Sequence, residues 1–389
     1  MADIFSFFIV MAAGLFFAEF FRPFHMPYVV VLILTGILIG PSALNFFTPD
    51  DTIEFIGQIG LVFLMFMAGL EARLSVMAEL RKSVAVLAIL NGFIPFIAGV
   101  AIALSFGYGW TSALFLGTIF ISSSIAVIIP SLQANNLLQT RLGKTILGAT
   151  IAEDVASLVI FSILLQTINP THNVPLPLFY LVLFMFLVTL RVFIQRLRKF
   201  YQSLLSRRAR KEIFENEVRF IFAILLATVV LFEILGLHAI IAGFFAGMAL
   251  SESIKKDILK KKLHAISYGL FIPVFFVIIG SQTDIQVLLD GSGVAVLAGI
   301  IVMGSVASKF LSGFLSGKLS GFTSKESSIM GSATLPQLST TLAVAFIGLE
   351  LNLFGPELIL AMTILSILTT IAGPYIIGIL VERKKPKSK

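Results

Sequence analysis

The sequence predicts an all-α polytopic membrane protein of about thirteen transmembrane helices. Three observations predict it. Of the 389 residues, 58% are hydrophobic and 13% charged, whereas a soluble domain carries about 25% charged residues. Apolar runs long enough to cross about 30 Å of hydrocarbon recur along the whole chain. The loops between those runs sort by charge. So much crossing sequence leaves no room for a sizeable soluble domain. With no cysteine, disulfides, thiolate metal sites and cysteine nucleophiles are excluded.

The first span, 4–21, has Asp3 before it and Arg22 after it, the reverse of a cleaved leader, so it is kept as a crossing. The second, 28–40, is short and reads as tilted or broken. Longer apolar runs follow at 53–71 and 83–105. The run 111–132 is oddly polar, and 144–166 carries two acids. A linking helix at 176–196 leads into a basic stretch. The spans 217–236 and 238–251 are divided only at Gly236-Leu237-His238. The series closes with 266–284, 293–317, the polar 326–347, and 357–381.

Counted alternately, one set of loops receives Arg22, Arg73, Arg81, Lys82, Arg141, Lys144, the run from Arg191 to Lys211, and Lys255, Lys256, Lys260, Lys261 and Lys262. It also receives Lys318, Lys325 and the tail from Arg383 to Lys389. The other set receives Asp3, Asp50, Asp51, Asp284, Asp290, Glu350 and Glu357. The positive-inside rule puts the N-terminus outside and the C-terminus in the cytoplasm, which an odd number of spans requires. The net charge of +7 is therefore loop charge facing lipid headgroups and cytoplasm, and not a nucleic-acid footprint. The run 191–211 reads first as a topology signal and solvated linker, with an anionic-lipid contact as the lesser reading.

That linker divides one membrane transport domain into a first repeat at about 4–166, a linking region at about 176–216, and a second repeat at about 217–381 before the tail 382–389. The halves begin on opposite sides of the bilayer, as inverted repeats do. In each half the fifth helix is polar. The first copy holds Ser122, Ser123, Ser124 and Pro130; the second holds Ser332, Thr334, Pro336, Gln337, Ser339, Thr340 and Thr341. Interrupted segments at matching places of two inverted halves point to a binding site, because unwound crossings free carbonyls and helix ends for an ion. Packing of helices through small hydroxyl residues is the bland alternative.

Three ionisable residues lie deep in the spans: Glu153, Asp154 and Lys309. Glu19, Glu54, Glu71, Arg191, Glu233 and His238 fall near span ends, where reaching the interface is cheap. A charge at the bilayer centre costs about 2.5–3.5 kcal/mol on insertion scales, so two adjacent acids call for a counter-ion and a task. Lys309 is the natural counter-ion for one of them. The other, with serine and threonine hydroxyls and free carbonyls, makes a hard-oxygen site suited to sodium or lithium. A carboxyl removed from water also binds its proton more tightly. Metal ion and proton then compete for one acid.

Glu153-Asp154 with its apolar continuation, the Ser122-Ser123-Ser124 segment upstream, and Phe271-Ile-Pro273-Val-Phe275-Phe276-Val-Ile-Ile-Gly280 followed by Asp284 resemble the cation:proton antiporters, above all the Kef and NapA-like carriers. The resemblance covers essentially the whole chain. It implies a NapA-like fold with crossed discontinuous helices, a dimerisation domain and a mobile core domain. It further implies a homodimer working by an elevator motion in a prokaryotic plasma membrane. By the same resemblance Asp154 binds the cation and the proton, and Lys309 pairs with the residue before it. Two acids with a lysine resemble the electrogenic members. Glu153 departs from the aspartate common at its position, and the segment after Pro336 lacks the Arg-Gly-Glu-like stretch of relatives. Kef-type potassium efflux proteins continue into a nucleotide-binding domain; no such domain is expected here.

The expected cargo is Na+ or Li+ against H+, with a K+/H+ exchanger or a cation-coupled solute symporter as the alternative, and no cofactor. Enzyme classes fit poorly. A membrane aspartyl protease needs a second buried aspartate on another helix, and no Gly-x-Gly-Asp, Gly-x-Ser-Gly or His-Glu-x-x-His stands in the chain. His25, His172, His238 and His264 have no ligand spacing.

Overall fold

In a computed structural model the described residues are 2–24, 26–71, 81–168, 215–234, 238–251, 257–286 and 292–382, with isolated positions between them. The expected helix 176–196, most of the basic run, the junction at Gly236-Leu237, His25, His172 and the tail beyond 382 lie outside them. All regular structure among the described residues is helical. The helices are α1 (Ala2–Phe21), α2 (Tyr28–Ile39), α3 (Asp51–Glu71), α4 (Arg81–Ser105), α5 (Trp110–Ile121), α6 (Ile125–Ala134), α7 (Arg141–Ile168), α8 (Asn216–Ile234), α9 (Ala239–Ser251), α10 (Asp257–Ile266), α11 (Ile272–Gln282), α12 (Ser292–Leu319), α13 (Ser324–Ala333), α14 (Ser339–Glu350) and α15 (Pro356–Glu382). Eight helical stretches among the described residues are long and apolar enough to cross a membrane.

The expected boundaries hold to within a few residues outside two places; the short second span, expected at 28–40, is the 12-residue helix Tyr28–Ile39 capped at Gly40. The crossing expected at 266–284 starts earlier, at Asp257, and passes through a π-turn at Ser267–Phe271. Pro273 explains the turn: it has no N–H to return to the carbonyl one turn back, so the ladder slips and Ile272 N–H reaches Ser267 O instead. The other place is the pair of polar fifth helices, each of which is broken in two.

The chain divides into two compact units. The smaller comprises Gln58–Arg73 and Ser162–Ile272. In it, α3 and α9 meet backbone to backbone, since a methyl group at Gly69 would overlap Phe244 O and one at Gly247 would overlap Phe66 O. With no water to expel in lipid, such close contact supplies the dispersion that holds membrane helices together.

The larger unit comprises Met1–Gly57, Leu74–Phe161 and Pro273–Lys389. It contains every site residue expected from the sequence. α12 lies against α13 through Gly313, Gly317, Ser327 and Gly331. Leu87, Ile128, Leu132, Ile146, Ala149, Ile329, Met330 and Ala333 belong to one buried cluster. It ties α4, α6, α7 and α13 together, so the half-helices α6 and α13 are both anchored to the helix that bears the acids.

Candidate functional site

Three serines in a row end α5. Their hydroxyls compete with the backbone for hydrogen bonds, and Ser122 and Ser124 take extended conformations (ψ 146° and 105°) before α6 begins. In the second half, Pro336 removes an N–H and disfavours helix for the residue before it. The chain runs without regular structure from 335 to 338 and resumes helix at Ser339.

The two breaks meet: Ser124 N–H donates to Pro336 O at 2.7 Å. Buried backbone groups need partners, and here side chains supply several. Lys309 Nζ donates to Ile121 O at 2.6 Å, and Gln337 Nε2 donates to Phe120 O at 3.2 Å. Ser123 Oγ is 3.1 Å from Thr334 O, and Gln337 N–H donates to Thr369 Oγ1 on α15 at 3.2 Å. A cation at the C-terminal end of α5 is also favoured by the helix dipole. Lys309 and Gln337 thus finish a helix end in a chain that lacks the Arg-Gly-Glu-like stretch.

Glu153 and Asp154 stand on α7, 1% and 4% exposed, and Lys309 on α12 is fully buried. Their surroundings differ. Glu153 Oε2 accepts from Asn91 Nδ2 at 2.8 Å and Ser123 Oγ at 2.9 Å, and lies 3.6 Å from Lys309 Nζ. Asp154 Oδ1 accepts from Ser122 Oγ at 3.2 Å, with Thr340 Oγ1 at 3.5 Å. Lys309 therefore sits by the first acid, and hydroxyls from each break reach the second. Glu153 Oε1, Ser124 Oγ, Gln337 Oε1 and Thr341 Oγ1 are buried with no hydrogen-bond partner among the described residues.

With all three groups ionised, the cluster carries one net negative charge. One monovalent cation or one proton on Asp154 neutralises it. A carboxylate flanked by hydroxyls is an oxygen set that takes a hard ion, and the lysine keeps the total charge within what a buried site tolerates.

The structure thus gathers Ser122, Ser123, Ser124, Glu153, Asp154, Lys309, Thr334, Pro336 and Gln337 around one junction. Two expected residues stand apart. Pro130 is exposed within α6, past the break. Ser332 is spent on its own helix, donating to Ser328 O at 2.9 Å. Three participants are not singled out by the sequence as site residues: Asn91, Ser312 and Thr369. Asn91 left a signal, an amide in the middle of the apolar run 83–105; hydroxyls at helix positions leave almost none.

The chain is similar to known proteins both in sequence and in fold. The family described as sodium/hydrogen exchanger, transmembrane, matches residues 7–383. "Probable Na(+)/H(+) antiporter 3" of Methanocaldococcus jannaschii is 30% identical over 388 residues, covering 98% of both chains. A "Na(+)/H(+) antiporter" of Enterococcus hirae is 27% identical and covers 92% of each, and the "Na(+)/H(+)-K(+) antiporter GerN" of Bacillus cereus is 27% identical over 90% of this chain and 88% of its own. In fold, the chain matches the sodium proton antiporter MjNhaP1 of Methanocaldococcus jannaschii, with a TM-score of 0.71 at 20% identity over 98% of each chain. The expected antiporter fold is the one observed. By sequence along nearly its whole length, this chain belongs to the sodium/hydrogen exchanger family.

Proposed function

We propose that the protein exchanges sodium or lithium ions for protons across a membrane, with Asp154 carrying either cargo in turn. One observation carries this reading: of two adjacent buried acids, Glu153 is engaged by Asn91, Ser123 and Lys309, while Asp154 is met by hydroxyls at the junction of two broken helices. The names of the full-length relatives support it.

The coupling follows from competition. A sodium ion displaces the proton from Asp154 and a proton displaces sodium, so net transport requires only that the empty, charged site does not cross. Presenting the junction alternately to each face then drives one gradient with the other. Ser122 and Thr340 orient the acid and add oxygens to the ion's shell; Lys309 and Asn91 keep Glu153 out of the exchange. In this reading the chain is one transport domain of two inverted repeats, working as a homodimer by an elevator motion in a prokaryotic plasma membrane, N-terminus outside. One sodium against one proton at Asp154 moves no net charge; electrogenic exchange, responding to voltage at about 2.3 kcal/mol per charge per 100 mV, takes a second proton carried per cycle.

Purified protein in liposomes, loaded with a pH-sensitive dye and given Na+, Li+ or K+ separately, tests the reading. Sodium and lithium dequench the dye, and Asp154→Asn abolishes the signal while eluting as a folded protein. Sodium-dependent proton flux in Asp154→Asn overturns the assignment. A response to potassium alone replaces the cargo with K+, and flux indifferent to a clamped potential removes the electrogenic part.

A further inference from the structure

We propose that Asn91 is a specificity-determining residue: it holds Glu153 on Lys309, so that an ion at Asp154 meets one carboxylate rather than two. The inference rests on the exchange reading above.

Asn91 is fully buried in the middle of α4. Its amide bridges two other helices. Nδ2 donates to Glu153 Oε2 on α7 at 2.8 Å, and Oδ1 accepts from Ser312 Oγ on α12 at 2.7 Å. The orientation is forced, because a carboxylate only accepts, so the nitrogen must face Glu153. Ser312, also fully buried, stands one turn beyond Lys309 on the same helix. The amide thereby registers the acid of α7 against the lysine of α12.

The other two groups at Glu153 hold it less exclusively. Lys309 Nζ is 3.6 Å away and makes shorter contacts to Ile121 O at 2.6 Å and Ser123 Oγ at 2.7 Å. Ser123 has a single hydroxyl proton to share between Glu153 and Thr334 O. Of the three, Asn91 makes the shortest contact. The remaining carboxylate oxygen, Oε1, is buried without a partner among the described residues.

The consequence is a matter of charge count. Neighbouring helix positions diverge by about 100°, and the longer glutamate arm, once released, can bring Oε1 toward Asp154. Two carboxylates on one ion make a site for a divalent, oxygen-seeking cation such as Ca2+; ligand charge is what tunes such sites. Pinned by Asn91, Glu153 leaves a singly charged acid suited to a monovalent ion.

The test is Ca2+ binding to the detergent-purified full chain, by calorimetry and by thermal unfolding in calcium or sodium chloride, a readout independent of exchange. Parent protein binds Ca2+ weakly, which sets the reference. Asn91→Ala gains affinity by about 10- to 100-fold, the scale of one lost charge-assisted hydrogen bond, and Ca2+ then inhibits its sodium-driven proton flux. Ser312→Ala, which removes the hydroxyl that orients the amide, moves the same way by less and carries the test if Asn91→Ala does not fold. Adding Glu153→Gln to either variant erases the gain. Unchanged Ca2+ binding in the variants, a gain that survives Glu153→Gln, or equal binding by the parent overturns the proposal. If the variants gain Ca2+ but the parent moves no protons with sodium, the exchange reading fails and the pin stands. If the parent exchanges and the variants gain nothing, the pin alone fails.

Discussion

Lys309 Nζ lies 2.6 Å from the carbonyl of Ile121 and 3.6 Å from the nearer oxygen of Glu153, so the buried ammonium closes a broken helix as much as it balances an acid. Burying an ammonium is expensive unless hydrogen bonds and an opposite charge offset it. Here one side chain meets two needs of the crossing: an orphaned carbonyl at the end of α5 and a carboxylate in the bilayer core.

Lys309→Ala should therefore unfold more readily than loss of an ordinary ion pair implies. It leaves Glu153 without its counter-charge and Ile121 O without a donor, at a cost of about 3–5 kcal/mol. Thermal unfolding in detergent reads the loss. A melting temperature equal to the parent's shows that the pair does not support the fold.

The hydroxyls on Asp154 should govern ion affinity. Ser122→Ala and Thr340→Ala each remove an oxygen near Oδ1 without touching charge. A neutral-group hydrogen bond is worth about 0.5–1.5 kcal/mol, so the sodium concentration for half-maximal flux rises by about 2- to 10-fold. Ser122, at 3.2 Å, should matter more than Thr340, at 3.5 Å. Concentration series in liposomes decide it, and a larger effect from Thr340 reverses the assigned order.

Hydropathy made the crossings legible because each buries its own backbone, and an apolar run of the right length has few other uses. Glu153, Asp154 and Lys309 were legible for the opposite reason: charge in that setting is costly enough to need a purpose. The breaks at Ser122–Ser124 and Pro336 could be placed by polarity and proline. Their meeting could not, since the 2.7 Å bond from Ser124 N–H to Pro336 O joins residues 212 positions apart through backbone atoms common to any sequence. Asn91 was visible as an odd amide, but its partners on α7 and α12 are a property of packing. Pro130 lies in the interrupted segment as expected, but it does not make the break. Proline kinks a helix from where it stands, yet here the serine run six positions earlier had already ended the helix.

The N-terminal half-helix of the second break offers a purely local check. Thr323 caps α13 in a reciprocal box with Glu326: Thr323 Oγ1 accepts from Glu326 N–H, and Glu326 Oε2 accepts from Thr323 N–H at 2.9 Å. Thr323→Ala should cost about 1 kcal/mol. Because α13 ends at the junction, hydrogen exchange should rise first in residues 324–333 and at the break that follows. Protection unchanged there shows that packing against α12 holds the half-helix alone.

Tyr108, in the turn between α4 and α5, donates to Glu357 Oε1 at the start of α15, 3.0 Å away. Burial raises the pKa of its phenol, and the charge and hydrogen bond of Glu357 raise it further. A phenol held neutral in the fold but ionising near pH 10 in the unfolded chain contributes stability that is whole below pH 10 and is lost as pH climbs beyond it. The parent should therefore lose melting temperature on going from pH 9 to 11. Tyr108→Phe, which has no proton to give up, should start lower and fall less over the same interval. The side chain is only partly buried, so water screens the effect and the difference in slope is modest. Parallel slopes for the two proteins show that the Tyr108–Glu357 bond does not persist in solution.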